Sequence, residues 1–98
     1  MYIVRDTFTA KPGMASKLAG MFKRVMPAES GVRVVTDLVG SYNTVEMEFQ
    51  FASLAEYEKF IDDYKTGKAQ FNPEAAEEMK NYTSMWKTGK REIFQVWE

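Results

Sequence analysis

Apolar and polar positions alternate along much of the chain, and where the alternation changes period the element changes. Tyr2 to Ala10 is rich in β-branched and aromatic residues and runs into Lys11-Pro12-Gly13, which predicts a first strand stopped ahead of a helix start. Met14, Leu18, Met21, Phe22 and Val25 then follow the spacing of an amphipathic helix, which ends before Pro27, with Glu29-Ser30-Gly31 as the turn out of it. Val32 to Val39 and Tyr42 to Phe51 read as two strands of a hairpin joined at Gly40-Ser41. In the second of these, Val45, Met47, Phe49 and Phe51 share one face, and Thr44, Glu46, Glu48 and Gln50 share the other. Ser53-Leu54-Ala55-Glu56 is a capping box for a helix that buries Tyr57, Phe60, Ile61 and Tyr64 and ends at Gly67. Asn72-Pro73-Glu74 opens another helix with the stripe Ala75, Met79, Tyr82 and Trp86, which Gly89 closes before a last strand from Arg91 to Trp97.

This order, β-α-β-β-α-(α)-β, predicts one α+β domain over residues 1–98. It is a ferredoxin-like βαββαβ fold with a four-stranded antiparallel sheet and helices on one face. A sheet covered on one side leaves the other toward water, and such a face is normally polar. Here Ile3, Arg5 and Thr7 share it with Glu46 and Glu48, and Arg33 and Asp37 lie in strand two with their phase open. Opposite charges among apolar residues suit two sheets packed face to face, so we expect a homodimer through the open sheet face. A solvated face carrying surface ion pairs is the alternative.

Composition narrows the chemistry. Thirteen basic and fourteen acidic residues give a net charge of −1, with no long-range field for phosphate backbones, so nucleic acid is not an expected partner. The chain has no cysteine and no histidine. That removes disulfides, thiolate nucleophiles and imidazole catalysis, and we expect no cofactor and no metal. Charge at Arg5 and Asp6 breaks the opening apolar run before a signal-peptide core or membrane span could form, so the expectation is a cytoplasmic protein with no membrane partner.

The pattern resembles the dimeric α/β-barrel superfamily, which includes antibiotic-biosynthesis-monooxygenase-like and NIPSNAP-like domains. The resemblance covers nearly the whole chain. It is carried by the first strand running into Lys11-Pro12-Gly13 and by the third ending in Phe51-Ala52-Ser53 and passing directly into a helix. It implies two ferredoxin-like protomers pairing their sheets, with a ligand in each between sheet and helices. Members similar to the cofactor-independent monooxygenases carry a tryptophan at the end of strand three, an asparagine four residues earlier and a tyrosine on the following helix. Phe51, Met47 and Tyr57 stand at these positions, so only the tyrosine is kept, and the resemblance implies a catalytic role for Tyr57 alone.

Candidate site residues follow from the spacings. Phe8, Phe49, Phe51, Tyr57, Phe60, Tyr64, Tyr82 and Trp86 converge between sheet and helices. With Met47 they would line a pocket for a small apolar or aromatic ligand, or else simply fill the core. Asp6 shares strand parity with Tyr2, Val4 and Phe8. If that parity is buried, desolvation favours the neutral acid, and Asp6 becomes a candidate proton acceptor from a phenol or an activated C–H. The alternatives place Asp6 on the outer face, or near an exposed strand end beside a lysine or arginine. Glu46 and Glu48, about 6–7 Å apart along one strand face, suit ion pairing with arginine better than a cation site. Lys65, Lys68 and Gln70 could draw an anion to a pocket mouth or form a solvated loop. The function expected is therefore small-molecule binding, extending to cofactor-independent monooxygenase-like chemistry. A non-catalytic regulatory or interaction module with a filled core is the alternative.

Overall fold

A computed structural model describes residues 1–26, 31–67 and 73–98. β1 (Tyr2–Ala10) leads into α1 (Ala15–Val25), β2 (Arg33–Thr36), β3 (Thr44–Phe51) and α2 (Leu54–Lys65). α3 (Pro73–Glu78), a 3₁₀ segment (Met79–Ser84) and β4 (Trp86–Gln95) complete the chain. The sheet is antiparallel throughout, in the order β2-β3-β1-β4, so β1 is central and β4 is an edge. This is the α+β arrangement the periodicity predicts. Glu29, Ser30, Lys68, Gln70 and Asn72 lie outside the described residues, as does the side chain of Ala75.

Register fixes which side chains face the helices. β1 pairs with β3 as Val4↔Phe49, Asp6↔Met47 and Phe8↔Val45, so these six residues share one side of the sheet. Leu18, Met21, Phe22 and Val25 of α1 are buried against it, and with Val4, Ala10, Val45, Met47 and Phe49 they make the core. A fully buried ring such as Phe22 is worth about 3–5 kcal/mol against alanine, so α1 is the main clamp on the sheet. α2 is held more loosely. Ser53 Oγ accepts from the Glu56 N–H at 3.2 Å, half of the expected capping box, while Glu56 Oε2 accepts from the Ala52 N–H at 3.0 Å, one residue ahead of the N-cap. Its predicted buried stripe is only partly covered: Tyr57, Phe60 and Ile61 are half-buried, and Tyr64 is exposed.

Three elements depart from the sequence expectation. β2 stops at Thr36 because Asp37 turns back: its carboxylate accepts from the Thr44 N–H at 2.9 Å, and its own N–H donates to the Thr44 carbonyl at 3.3 Å. The connection to β3 is therefore a loop of residues 37–43, with Tyr42 and Asn43 at positive φ, and not a tight turn at Gly40-Ser41. Leu38 and Val39, expected in the strand, are 99% and 95% exposed.

The helix expected to run from Pro73 to Gly89 gives way to the 3₁₀ segment, and Trp86 begins β4 instead of ending a helical stripe. Backbone pairing decides this, since the Lys11 N–H donates to the Met85 carbonyl at 2.9 Å and Ala10 pairs with Trp86. Gly89 thus lies inside β4, opposite Phe8. A Cβ there would stand 3.0 Å from Phe8 Cδ1, so glycine is what lets the ring lie against the strand. β4 ends at Gln95, and Trp97 is exposed beyond it.

On the open face the charges expected to reach across to a second sheet are paired within their own. Arg33 lies opposite Glu48 and donates to it at 2.9 Å, while Arg5 Nη2 reaches the other Glu48 oxygen at 3.4 Å. Arg5 Nε sits 2.9 Å from Glu46 Oε1 as an ion pair, although its buried N–H is not aimed at that oxygen. Glu48 is only 7% exposed between the two arginines. Asp37 belongs to the loop. Among the described residues no helix is long and apolar enough to cross a membrane, and no acidic cluster has the arrangement to hold a metal ion.

Candidate functional site

Two groups of rings cover the inner side of the sheet. Phe8 packs on Phe22 and Trp86, each at a centroid distance of 5.2 Å, with Tyr82 edge-on at 6.5 Å. Phe51 packs on Tyr57 at 5.5 Å and on Phe60 at 5.6 Å, and Phe49 meets Phe60 at 5.4 Å. Between the groups the packing is incomplete and leaves a cavity of about 140 Å³. Its floor is Asp6, Phe8, Met47, Phe49 and Arg91 of the sheet. Its walls are Phe22, Val25 and Met26 from the end of α1, Phe60, Ile61 and Tyr64 from α2, and Met79 and Tyr82 from the 3₁₀ segment.

Asp6 is the polar centre of this floor. It lies on the core face of the central strand, and its side chain is 7% exposed. Arg91, directly opposite on β4, answers it: Nε donates to Oδ1 at 2.6 Å and Nη2 to Oδ2 at 3.2 Å, a two-point contact. The third arm, Nη1, donates to the Tyr57 hydroxyl at 3.2 Å and ties α2 to the edge strand. The hydrogen bond to Asp6 is the main reason the Arg91 guanidinium is held even more firmly protonated than usual, outweighing its partial desolvation. Tyr82 is pushed up from the ordinary phenol range, first by burial and then by the neighbouring Tyr64 and Asp6, with Arg91 opposing. Its hydroxyl therefore stays protonated near neutral pH.

The structure brings Asp6, Phe8, Met47, Tyr64 and Tyr82 together around the cavity. It does not bring Phe51, Tyr57 or Trp86 to the wall. Phe51 is spent on Tyr57 and Phe60, and Tyr57 touches the site only through its bond to Arg91. Trp86 backs Phe8 and Tyr82, and its indole N–H is buried with no acceptor among the described residues. Asp6 faces the helices and has an arginine partner too, which joins two features that stand as alternatives from the sequence. The spacing sets Arg91 in the last strand but starts that strand too late, so its partner on β1 is not fixed. A strand beginning at Trp86 carries the signal, since its pairing sets Arg91 across from Asp6. Lys65 does not line the cavity.

Removing either partner of the Asp6–Arg91 contact has an unequal cost. Arg91→Met leaves an ionised carboxylate with little access to water and is expected to destabilise the fold by about 2–3 kcal/mol, whereas Asp6→Asn leaves a cation whose side chain is 51% exposed and costs about 1 kcal/mol. Urea unfolding of the two variants and the native chain measures the difference. Equal losses would show that burial of Asp6 does not set the energetics.

No family model and no curated protein matches the chain. Solved structures do. A NIPSNAP family protein from Agrobacterium tumefaciens superimposes with a TM-score of 0.76 at 8% identity, covering 99% of this chain and 86% of that one. A NIPSNAP-like domain protein from Burkholderia xenovorans gives 0.74 at 14% identity, with 98% and 84% covered. A putative antibiotic biosynthesis monooxygenase from Chloroflexus aurantiacus gives 0.60 at 10% identity, with 99% and 95% covered. Identities this low speak for the backbone alone. The chain therefore has the ferredoxin-like fold shared by NIPSNAP-domain and antibiotic-biosynthesis-monooxygenase-like proteins.

Proposed function

We propose that the protein is a homodimer in which each protomer binds one small, largely apolar or aromatic molecule between sheet and helices. The unfilled volume over Asp6 and Arg91 carries this reading. A core so rich in rings could have closed, yet it keeps about 140 Å³. An apolar void of about 150 Å³ is enough for a benzene-sized guest. The space favours a binder over the filled-core module. Toluene is expected to bind saturably and to shift the amide resonances of Asp6, Met47 and Phe49 in an NMR titration. Ile61→Trp, which sets an indole in the cavity, is expected to weaken that binding by about tenfold or more. Unchanged spectra at saturating toluene would sink the reading.

A second reading, cofactor-independent monooxygenase-like chemistry on such a molecule, has one observation behind it. Asp6 faces the cavity with acceptor capacity left, and Arg91 links it to the Tyr57 hydroxyl. In this reading Asp6 takes the substrate's proton and Tyr57 steadies the guanidinium. Oxygen uptake with a panel of quinols and polyphenols is expected, and Asp6→Asn should slow it about 100-fold or more. If none of the panel consumes oxygen, or the variant is as fast as the native chain, the chemistry is not this.

The open sheet face supports the homodimer. Val35 and Phe94 each remain 40% exposed there, and the Arg5 guanidinium stacks over the Phe94 ring at 5.1 Å. Arg5, Arg33 and Lys90 are matched by Glu46, Glu48 and Glu92 in ion pairs, so the face meets a copy of itself without net repulsion. Light scattering is expected to give twice the 11.3 kDa protomer mass, and Phe94→Glu to return it to one. A native mass of 11.3 kDa at micromolar concentration would rule the dimer out.

A further inference from the structure

The cavity walls are hydrocarbon, thioether and ring, with phenols at two points and charge at one. Among the described lining residues only Asp6 and Arg91 are charged, and they cancel in a two-point contact. That contact does not exhaust them. A guanidinium has five N–H donors and an ionised carboxylate about four lone-pair positions. Among the described residues Arg91 spends two donors on Asp6 and one on Tyr57, which leaves two N–H groups and roughly half of the carboxylate's acceptor positions. The wall thus offers hydrogen bonds of both kinds with no net charge.

A charged guest fits this wall poorly. It would give up its hydration for a site whose opposite charge is already engaged, and it would also meet the like charge of the pair at close range. A neutral guest with a carbonyl loses less on leaving water and finds donors waiting at Arg91. Tyr82, protonated near neutral pH, adds another donor and no charge.

Resting on the cavity reading above, we infer that the guest is a neutral single-ring carbonyl compound, and that the paired Asp6 and Arg91 discriminate against its carboxylate and amidinium counterparts. The pair acts as a charge filter. Breaking it from either side should open the site to one sign of charge only, because the partner left behind becomes an uncompensated ion.

Four probes of nearly one shape test this: toluene, benzamide, benzoate and benzamidinium, titrated at neutral pH into the full chain and followed by amide NMR shifts. Benzamide is expected to bind about tenfold or more tighter than either ion. In Asp6→Asn benzoate should gain about tenfold while benzamidinium does not, and in Arg91→Gln the gain should fall to benzamidinium alone. A loss of structure alone would not produce these mirrored responses. If one variant does not fold, the other still decides, and the native chain's ranking of the probes decides if neither does. Benzoate matching benzamide in the native chain, or both variants leaving the ranking of the ions unchanged, overturns the charge filter while toluene binding keeps the cavity reading intact. If none of the four binds, the cavity reading falls and the inference falls with it.

Discussion

A carboxylate on the inner face of a central strand has to be met by a cation, and much of this molecule is arranged around how Asp6 is met. Transfer of an unpaired ion to such a place would cost several kcal/mol. The partner comes from the edge strand because the β1–β4 register sets Arg91 directly across from Asp6. Any slip of one residue would turn Arg91 to the other face and leave Asp6 among rings and methionines. The same guanidinium reaches over to Tyr57, so the helix that packs least tightly on the sheet is fastened by a polar tie. Alignment of β4, charge balance at the floor and the seat of α2 thus share one side chain.

The two faces of the sheet handle charge in opposite ways. Outside, Glu48 is wedged between arginines from the strands on either side, and the network spreads laterally along the sheet. Inside, one carboxylate meets one guanidinium, with the Tyr57 hydroxyl on its third arm and the phenols of Tyr64 and Tyr82 among otherwise apolar described lining residues. Lateral networks leave a surface that is even in charge and suited to lying against another sheet. The isolated inner pair leaves a local dipole on the floor of a small space.

Much of this was legible from residue order alone, and the limits have physical causes. Strand parity grouped Val4, Asp6 and Phe8 in one strand and Met47 and Phe49 in another, but which parity of the first strand meets the helices is fixed only by the pairing of Asp6 with Met47. The α1 stripe was equally plain. The last third was harder to read, since Met79, Tyr82 and Trp86 satisfy a helical period while Trp86 is claimed by backbone pairing with β1, an interaction between residues far apart in the chain. That one displacement left the β1 partner of Arg91 open and moved Trp86 off the cavity wall. Phe51 and Tyr57 lie in the elements the spacing predicts but pack on each other, because spacing says which side a ring faces and not which neighbour it meets. Asp37 ended β2 early through a side-chain bond that strand propensity does not encode.

Gly89 carries one more implication. A thin stretch of backbone on the edge strand is what allows the Phe8 ring to rest where it does, at one end of the cavity. The capacity of the interior is therefore governed partly from the rim of the sheet, by an atom that is missing. Bulk introduced there would crowd the ring against its neighbours Phe22 and Tyr82 and reshape the chamber, without replacing Asp6 or Arg91. Room and polarity are set by different strand positions, so a lineage could alter one while holding the other fixed.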